Sequence, residues 1–320
     1  MNVERVLYGL AAAASLPPGP RAVAIGVFDG VHRGHRAVVG AAVEWARRSG
    51  GRALALTFDP HPSRLFRPAD PVRLLLPLAS RARALLGLGV DHVIVEPFTT
   101  EFAALEAEDF LPRLQRLLPG LGAVAIGENW RFGRNRRGDA AFLVDQGRRL
   151  GIEVAVAPSV VSGGERVSST RIRGLLETGE IERVNELLGS PYRSEGVVTP
   201  GKQLGRTIGF PTLNLPWDPE LRPRLGVYAV RVRRADALAM EPGLPGVANY
   251  GLRPTVEQAT APRLEVHLLG SCPFDSGETL EVEWLYVLRA EQRFADLGEL
   301  RAQIGRDRER AAAFFRIALG

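Results

Sequence analysis

Two histidines three positions apart, His32 and His35, close the segment Gly26-Val27-Phe28-Asp29-Gly30-Val31-His32-Arg33-Gly34-His35. The apolar run Ala22–Ile25 before it reads as a buried parallel strand, and Arg36–Ser49 after it as a helix. Glycines permit a tight turn and close backbone approach, while a helix start presents unbonded N–H groups. Anions bind at such a joint, and two imidazoles at this spacing can face one ligand and donate to its phosphate oxygens. One histidine in a glycine-rich turn is commonly a plain loop residue. Two of them, as HxGH directly after a strand, point to nucleotide chemistry.

Three further segments in the first half are dense in polar groups. Thr57-Phe58-Asp59-Pro60-His61-Pro62 and Gly127-Glu128-Asn129-Trp130-Arg131-Phe132-Gly133 each follow an apolar strand, which puts them at a sheet's carboxyl edge. Ser168-Ser169-Thr170-Arg171-Ile172-Arg173 precedes a helix, with hydroxyls able to cap it or to hold an anion, and arginine forks suited to phosphate. Asp29 fits two roles equally, bracing its own turn through an Asx-type bond or meeting a ligand. Phe132 reads as a core aromatic, and Arg131, Arg134, Arg136 and Arg137 as a solvated loop. No GxxxxGK[ST] loop is present, which argues against a P-loop kinase.

The second half carries Gly201-Lys202-Gln203-Leu204-Gly205-Arg206-Thr207-Ile208-Gly209-Phe210-Pro211-Thr212-Leu213-Asn214. Glycines every four residues free the backbone to wrap a phosphate. Thr212 and Asn214, two apart on extended chain, share a side and offer the hard oxygens that Mg2+ accepts alongside phosphate and water. Leu264–Leu269 alternates as a strand, and Glu265 on it is either a base for a substrate hydroxyl or a surface residue. His267 shares its face and can serve to orient it.

These groups need a scaffold, and the periodicity supplies two. Up to about residue 188, the strands Val23–Val27, Ala53–Phe58, His92–Val95, Gly122–Ile126 and Val154–Ala157 alternate with the helices Arg36–Ser49, Ser80–Leu88, Ala107–Leu117 and Ala140–Leu150. That rhythm predicts an α/β, doubly wound parallel sheet over residues 1–188. From 189 to 320, the alternating segments Ser194–Val198, Tyr228–Val232, Leu264–Leu269 and Leu280–Leu288 between Gly/Pro turns predict a small antiparallel β-barrel, with a C-terminal helix over Leu297–Leu319.

The 320 residues are 45% hydrophobic and 24% charged, as in an ordinary globular protein with room for two cores. No apolar run approaches the ~20 residues of a membrane span. Leu7–Ser15 is apolar and alanine-rich, but it is short and Glu4 sits where a secretory leader is basic. The net charge of +5 is spread over scattered arginines, with Lys202 the only lysine, which predicts attraction for small anions and no nucleic-acid surface. Cys272 is the only cysteine, so a reducing cytoplasm is the expected compartment, with no membrane association. A homo-oligomer is compatible with these features.

GVFDGVHRGH, TFDPHP, GENWRFG and SSTRIR, in this order, resemble the HxGH nucleotidyltransferase, Rossmann-like module of prokaryotic bifunctional riboflavin kinase/FMN adenylyltransferases (FAD synthetases). GKQLGRTIGFPTLN, GVANYGLRPTV and LEVHLL resemble the kinase module of the same family. The resemblance spans nearly the whole chain. It implies ATP-dependent phosphorylation of riboflavin to FMN, then attack of the FMN phosphate on the α-phosphorus of ATP to give FAD and pyrophosphate. On this reading His32 and His35 stabilise charge on the triphosphate, with Gly26, Phe28 and Gly34 beside the nucleotide. Ser169, Thr170 and Arg173 hold the β- and γ-phosphates, and Asn129 a phosphate of ATP or flavin. Phe28, Asp29, Asp59 and His61 line the clefts of nucleotide and flavin.

In the kinase module the resemblance makes Thr212 and Asn214 ligands of Mg2+ and ATP, and Glu265 the base for the terminal ribityl hydroxyl. Gly201, Gly205 and Arg206 form the loop over the nucleotide, and Asn249, Arg253 and Thr255 border the flavin. The family has alanine where this chain has Leu213. That change is harmless if Leu213 enters the barrel wall and lowers nucleotide affinity if it does not. Gly270–Gly277 also departs from the family's acidic-aromatic pattern.

Overall fold

The computed structural model describes residues 5–200, 209–235, 242–252 and 262–319. Gly201, Gly205, Arg206, Arg253 and Thr255 lie outside those residues. The chain divides into two compact units, Met1–Ser169 and Thr170–Gly320.

In the first unit the strands β1 (Val6–Tyr8), β2 (Arg21–Ile25), β3 (Arg52–Asp59), β4 (His92–Pro97), β5 (Leu121–Gly127) and β6 (Glu153–Ala157) form one parallel sheet in the order β1-β4-β3-β2-β5-β6. The helices are α1 (Arg33–Ser49), α2 (Pro62–Phe66), α3 (Leu78–Leu86), α4 (Thr100–Ala103), α5 (Ala107–Leu117) and α6 (Ala140–Leu150). A two-stranded hairpin follows, β7 (Val161–Ser162) with β8 (Glu165–Arg166).

Both faces of the sheet are covered, as the continuous apolar strands require. Val23 and Ile25 of β2 pack with Phe110, Leu111 and Leu114 of α5 on one face. Ala22 and Ala24 pack with Val38, Val39 and Ala42 of α1 on the other, the small residues admitting that helix closely. Leaving β1 aside, the strand order is that of a doubly wound nucleotide fold, whose ligand crevice opens between β2 and β5 at their carboxyl ends. The apolar Leu7–Ser15 stretch folds into this unit: it ends β1 and makes a 3-10 turn that buries Leu10 and Ala13.

The second unit begins with α7 (Ser169–Thr178) and α8 (Ile181–Leu188). The side chain of Asn185 on α8 donates to the Trp284 carbonyl and accepts from the Tyr192 N–H, both at 2.7 Å. Six antiparallel strands follow: β9 (Tyr192–Val197), β10 (Leu213–Leu215), β11 (Gly226–Arg234), β12 (Leu244–Gly251), β13 (Arg263–Leu268) and β14 (Thr279–Ala290), in the order β10-β13-β12-β11-β14-β9. The sheet curls into a half-barrel, and Thr199 beyond β9 pairs with Asn214 of β10 across the seam.

Its interior is aromatic. Trp284 is fully buried among Tyr192, Trp217, Tyr228 and Tyr250, with ring centroids 4.8–6.3 Å away, and its Nε1 donates to Ser194 Oγ. The C-terminal helix, Leu297–Leu319, sets Ala311 and Phe315 against Val227, Ala229 and Leu288 on the outer face. Two strands escape the sequence pattern: β10 is only three residues long, and β12 carries Pro245 and Gly246.

Candidate active sites

The first site stands where the fold places its crevice. After β2 the backbone turns through Phe28 and Val31, both at positive φ (55° and 44°), which is rare for bulky or β-branched residues. Such residues cost on the order of 1–3 kcal/mol each and persist only where their surroundings hold them. Here the Asp29 carboxylate, 2% exposed, accepts from the N–H groups of Leu75 (2.9 Å) and Leu76 (3.3 Å). The Asp29 carbonyl accepts from Ser169 Oγ at 2.9 Å. Asp29 therefore braces a segment distant in sequence.

His32 caps α1: its Nδ1 accepts from the His35 N–H at 3.3 Å, which leaves the neutral ring's proton on Nε2. The two imidazoles stack at 3.6 Å, and Phe28 meets His35 edge-on. Burial, then His32 and Arg81, hold the His35 pKa well below its usual 6.5, so the ring is neutral at neutral pH. Two glycines make room for these rings. A Cβ on Gly26 would meet Phe28 at 2.9 Å, and one on Gly34 would meet His32 at 3.1 Å.

Asp59 ends β3 with its side chain 43% exposed. His61 caps α2, its Nδ1 accepting from the Ser63 N–H. Asn129, after β5, is exposed and donates to Ser159 Oγ and Glu128. Thr170 is exposed and Arg173 half-buried on α7. Phe132 is buried as expected, stacked on Trp130 at 4.6 Å. The loop arginines are paired more than expected: Arg131 with Asp139, Arg134 with Glu106, and Arg137 with Glu106 and Glu108. Sequence reasoning missed Arg81 altogether, because helical periodicity gives an interior position and no hint of what it meets.

The second site is a row across a ladder. Asn214 on β10 lies opposite Glu265 on β13, and Glu265 lies opposite Asn249 on β12. Opposed residues in neighbouring strands project to one face, so the three share it. Asn214 and Glu265 are half-buried and Asn249 is exposed, whereas Leu213, Leu264, Val266, Ala248 and Tyr250 between them are buried. Leu213 is therefore buried and alternates with Asn214 along β10, and it also lines the cleft that Thr212 and Asn214 border.

His267, two residues beyond Glu265, donates from Nδ1 to the Pro211 carbonyl at 2.9 Å and contacts Phe210, fixing the segment ahead of Thr212. Thr212 is exposed, and with Thr199, Asn214, Asp275 and Ser276 it borders a cleft of about 350 Å3. Neutral oxygen donors beside open space suit Mg2+ that keeps phosphate and water ligands. Among the described residues no three His, Cys, Asp or Glu side chains converge on a metal position.

Together the two units define a class: a transferase that pairs an HxGH nucleotide-binding sheet with a flavokinase-like half-barrel. The FAD synthetase family model matches residues 17–171, and the riboflavin kinase model residues 188–315. The bifunctional riboflavin kinase/FMN adenylyltransferase of Escherichia coli strain K12 is 38% identical over 311 residues, covering 97% of this chain and 98% of that protein. Those of Listeria monocytogenes and Bacillus subtilis are 36% and 32% identical, each covering 92% of both chains. A crystal structure of a Streptococcus pneumoniae protein described as a macrolide-efflux protein superposes with a TM-score of 0.83 at 28% identity, over 95% of this chain and 98% of that one. The chain belongs to the bifunctional riboflavin kinase/FMN adenylyltransferase family. Among its described residues no helix is long and apolar enough to cross a membrane.

Proposed function

We propose that this chain phosphorylates riboflavin with ATP on the half-barrel and then adenylylates the product FMN on the parallel sheet, releasing FAD and pyrophosphate. One observation supports the reading: each unit presents its own cluster of polar groups, the stacked His32–His35 pair in one and the Asn214–Glu265–Asn249 row in the other. We assign the first reaction to residues 189–320 and the second to 1–188.

In adenylyl transfer the nucleophile is already an anionic phosphate, so no strong base is required and positioning with charge stabilisation suffices. His32 donates from Nε2–H to the triphosphate as charge grows on it, and neutral His35 donates beside it. Ser169, Thr170 and Arg173 are assigned to the β- and γ-phosphates, and Asn129 to a phosphate of either substrate. Gly26 and Gly34 keep the nucleotide cleft open by carrying no side chain. Asp59 borders the flavin directly. Asp29 and His61, both engaged in holding backbone, act by shaping that cleft.

In the kinase reaction Glu265 takes the proton of the terminal ribityl hydroxyl as it attacks the γ-phosphorus. Asn249 borders the flavin in the same row. Gly201, Gly205, Arg206, Arg253 and Thr255 keep their family assignments to nucleotide and flavin. Thr212 and Asn214 would hold Mg2+, which supplies charge neutralisation at the ATP phosphates. The exposed lone thiol of Cys272 suits a reducing cytoplasm. Purified protein given riboflavin, ATP and Mg2+ should form FMN and then FAD by chromatography. FMN that accumulates with no FAD would reduce the function to a kinase.

A further inference from the structure

Arg81 is a buried charge that the adenylyl-transfer mechanism leaves unused. It sits mid-way along α3 with its side chain 0% exposed. Its Nη2 donates to the Phe58 carbonyl at 3.1 Å and lies 3.7 Å from Asp59 Oδ1, both at the carboxyl end of β3. Nε and Nη1 are shielded from solvent and have no partner. Its charge also acts on Asp29 and on His35, so the guanidinium lies within electrostatic reach of the turn after β2 as well.

An arginine retains its proton under burial, so this is a permanent cation in a poorly solvated place. Burying it with donors unbonded is unfavourable, and such exceptions gather at functional positions. The two carboxylates it reaches, Asp29 and Asp59, stand where two anionic substrates must be brought together. Unopposed, those fixed negative charges would repel ATP and FMN. A cation below them removes that repulsion without competing for the phosphates, because it has no path to solvent.

We propose that Arg81 is a positioning residue for adenylyl transfer: its sealed guanidinium holds the Asp59 end of β3 and offsets Asp29 and Asp59, so that this acidic edge accepts polyphosphate. The proposal rests on the assignment of adenylyl transfer to the first unit. It assigns Arg81 no contact with substrate, and its effect passes through Asp59 and the β3 terminus.

The test compares Arg81→Met and Arg81→Lys in the full-length chain, alone and combined with Asp59→Asn. FAD formation from FMN and ATP is measured as kcat and KM, and riboflavin phosphorylation by the same preparations reports on the second unit. Arg81→Met should lower kcat/KM for adenylyl transfer by on the order of tenfold or more, as small misplacements at reacting groups do. Arg81→Lys should recover most of that loss, and phosphorylation should be unchanged. In the Asp59→Asn background the penalty of Arg81→Met should shrink to about twofold, because the nearer of the two charges to be offset is gone. An equal penalty in both backgrounds, no penalty at all, or a lysine variant as impaired as the methionine one would overturn the proposal. If neither variant folds, the arginine is structural and the proposal fails. An unmodified chain that forms no FAD would instead overturn the adenylyl-transfer assignment, before any variant is compared.

Discussion

In the first unit the groups proposed to act on phosphate ride on a turn that the rest of the unit must force into shape. Phe28 and Val31 take left-handed backbone, and Leu75, Leu76 and Ser169 hold Asp29 in place. In the second unit Asn214, Glu265 and Asn249 need no such forcing, since an antiparallel ladder aligns them and their buried neighbours lock the register. A turn site concentrates rings and N–H groups at one point, as a developing charge on phosphate requires. A ladder site spreads donors about one strand apart, which suits a long substrate meeting a nucleotide and a base at separate points. The cost also differs: damage to the turn site should show in stability, and damage to the row mainly in rate.

The sharpest break between the two is catalytic. Glu265→Gln should slow riboflavin phosphorylation by roughly 10²–10⁴, the range for a general base, while FAD synthesis from supplied FMN continues. His32→Ala should do the converse, slowing adenylyl transfer by on the order of 10² and sparing FMN formation. Loss of both activities in either variant, read by chromatography of the products, would dissolve the comparison.

Next in size is Leu213→Ala, which gives the kinase motif its family residue. Leu213 is 8% exposed and also lines the cleft beside Thr212, so the truncation should destabilise the second unit by about 2 kcal/mol or more, with the KM for ATP unchanged where packing is its whole role. A changed KM with an unchanged melting temperature would place Leu213 at the nucleotide. Asp29→Ala should then cost roughly 1–3 kcal/mol in thermal unfolding of the first unit, by stranding the Leu75 and Leu76 N–H groups. A variant of full stability that fails only in flavin affinity would make Asp29 a direct ligand.

The smallest effect is on pH. His35 stays neutral when folded and has an ordinary pKa near 6.5 when unfolded, so below that value the unfolded chain takes up a proton that the folded chain refuses. Stability is therefore full above about pH 6.5 and declines as the pH falls from there towards the depressed folded value, by at most ~1.4 kcal/mol per pH unit. His35→Gln should flatten this part of the stability curve for the first unit. An unchanged slope would show that the ring is not shielded.

Much of this organisation is legible along the chain. The HxGH turn, the apolar β2 before it and the amphipathic α1 behind it are local, and the parallel rhythm identifies the edge on which they fall. The PTLN segment and the alternating β13 likewise declare themselves, and the helix over Leu297–Leu319 has the expected limits. Strands β10 and β12 do not, since one is too short for a period and the other holds Pro245 and Gly246. Without them the row at Asn214, Glu265 and Asn249 is invisible.

The sequence by itself determined which polar residue types gather at each turn and on which of two scaffolds, because turn chemistry and hydrophobic period act over a few neighbours. Only the tertiary structure decided that Asp29 holds Leu75 and Leu76, that Leu213 is buried beside the cleft, and that Arg81 lies sealed beside Asp59. Those outcomes join segments some 20 to 50 residues apart or depend on strand register. Burial and pairing across such distances are properties of the packed chain, and no local pattern encodes them.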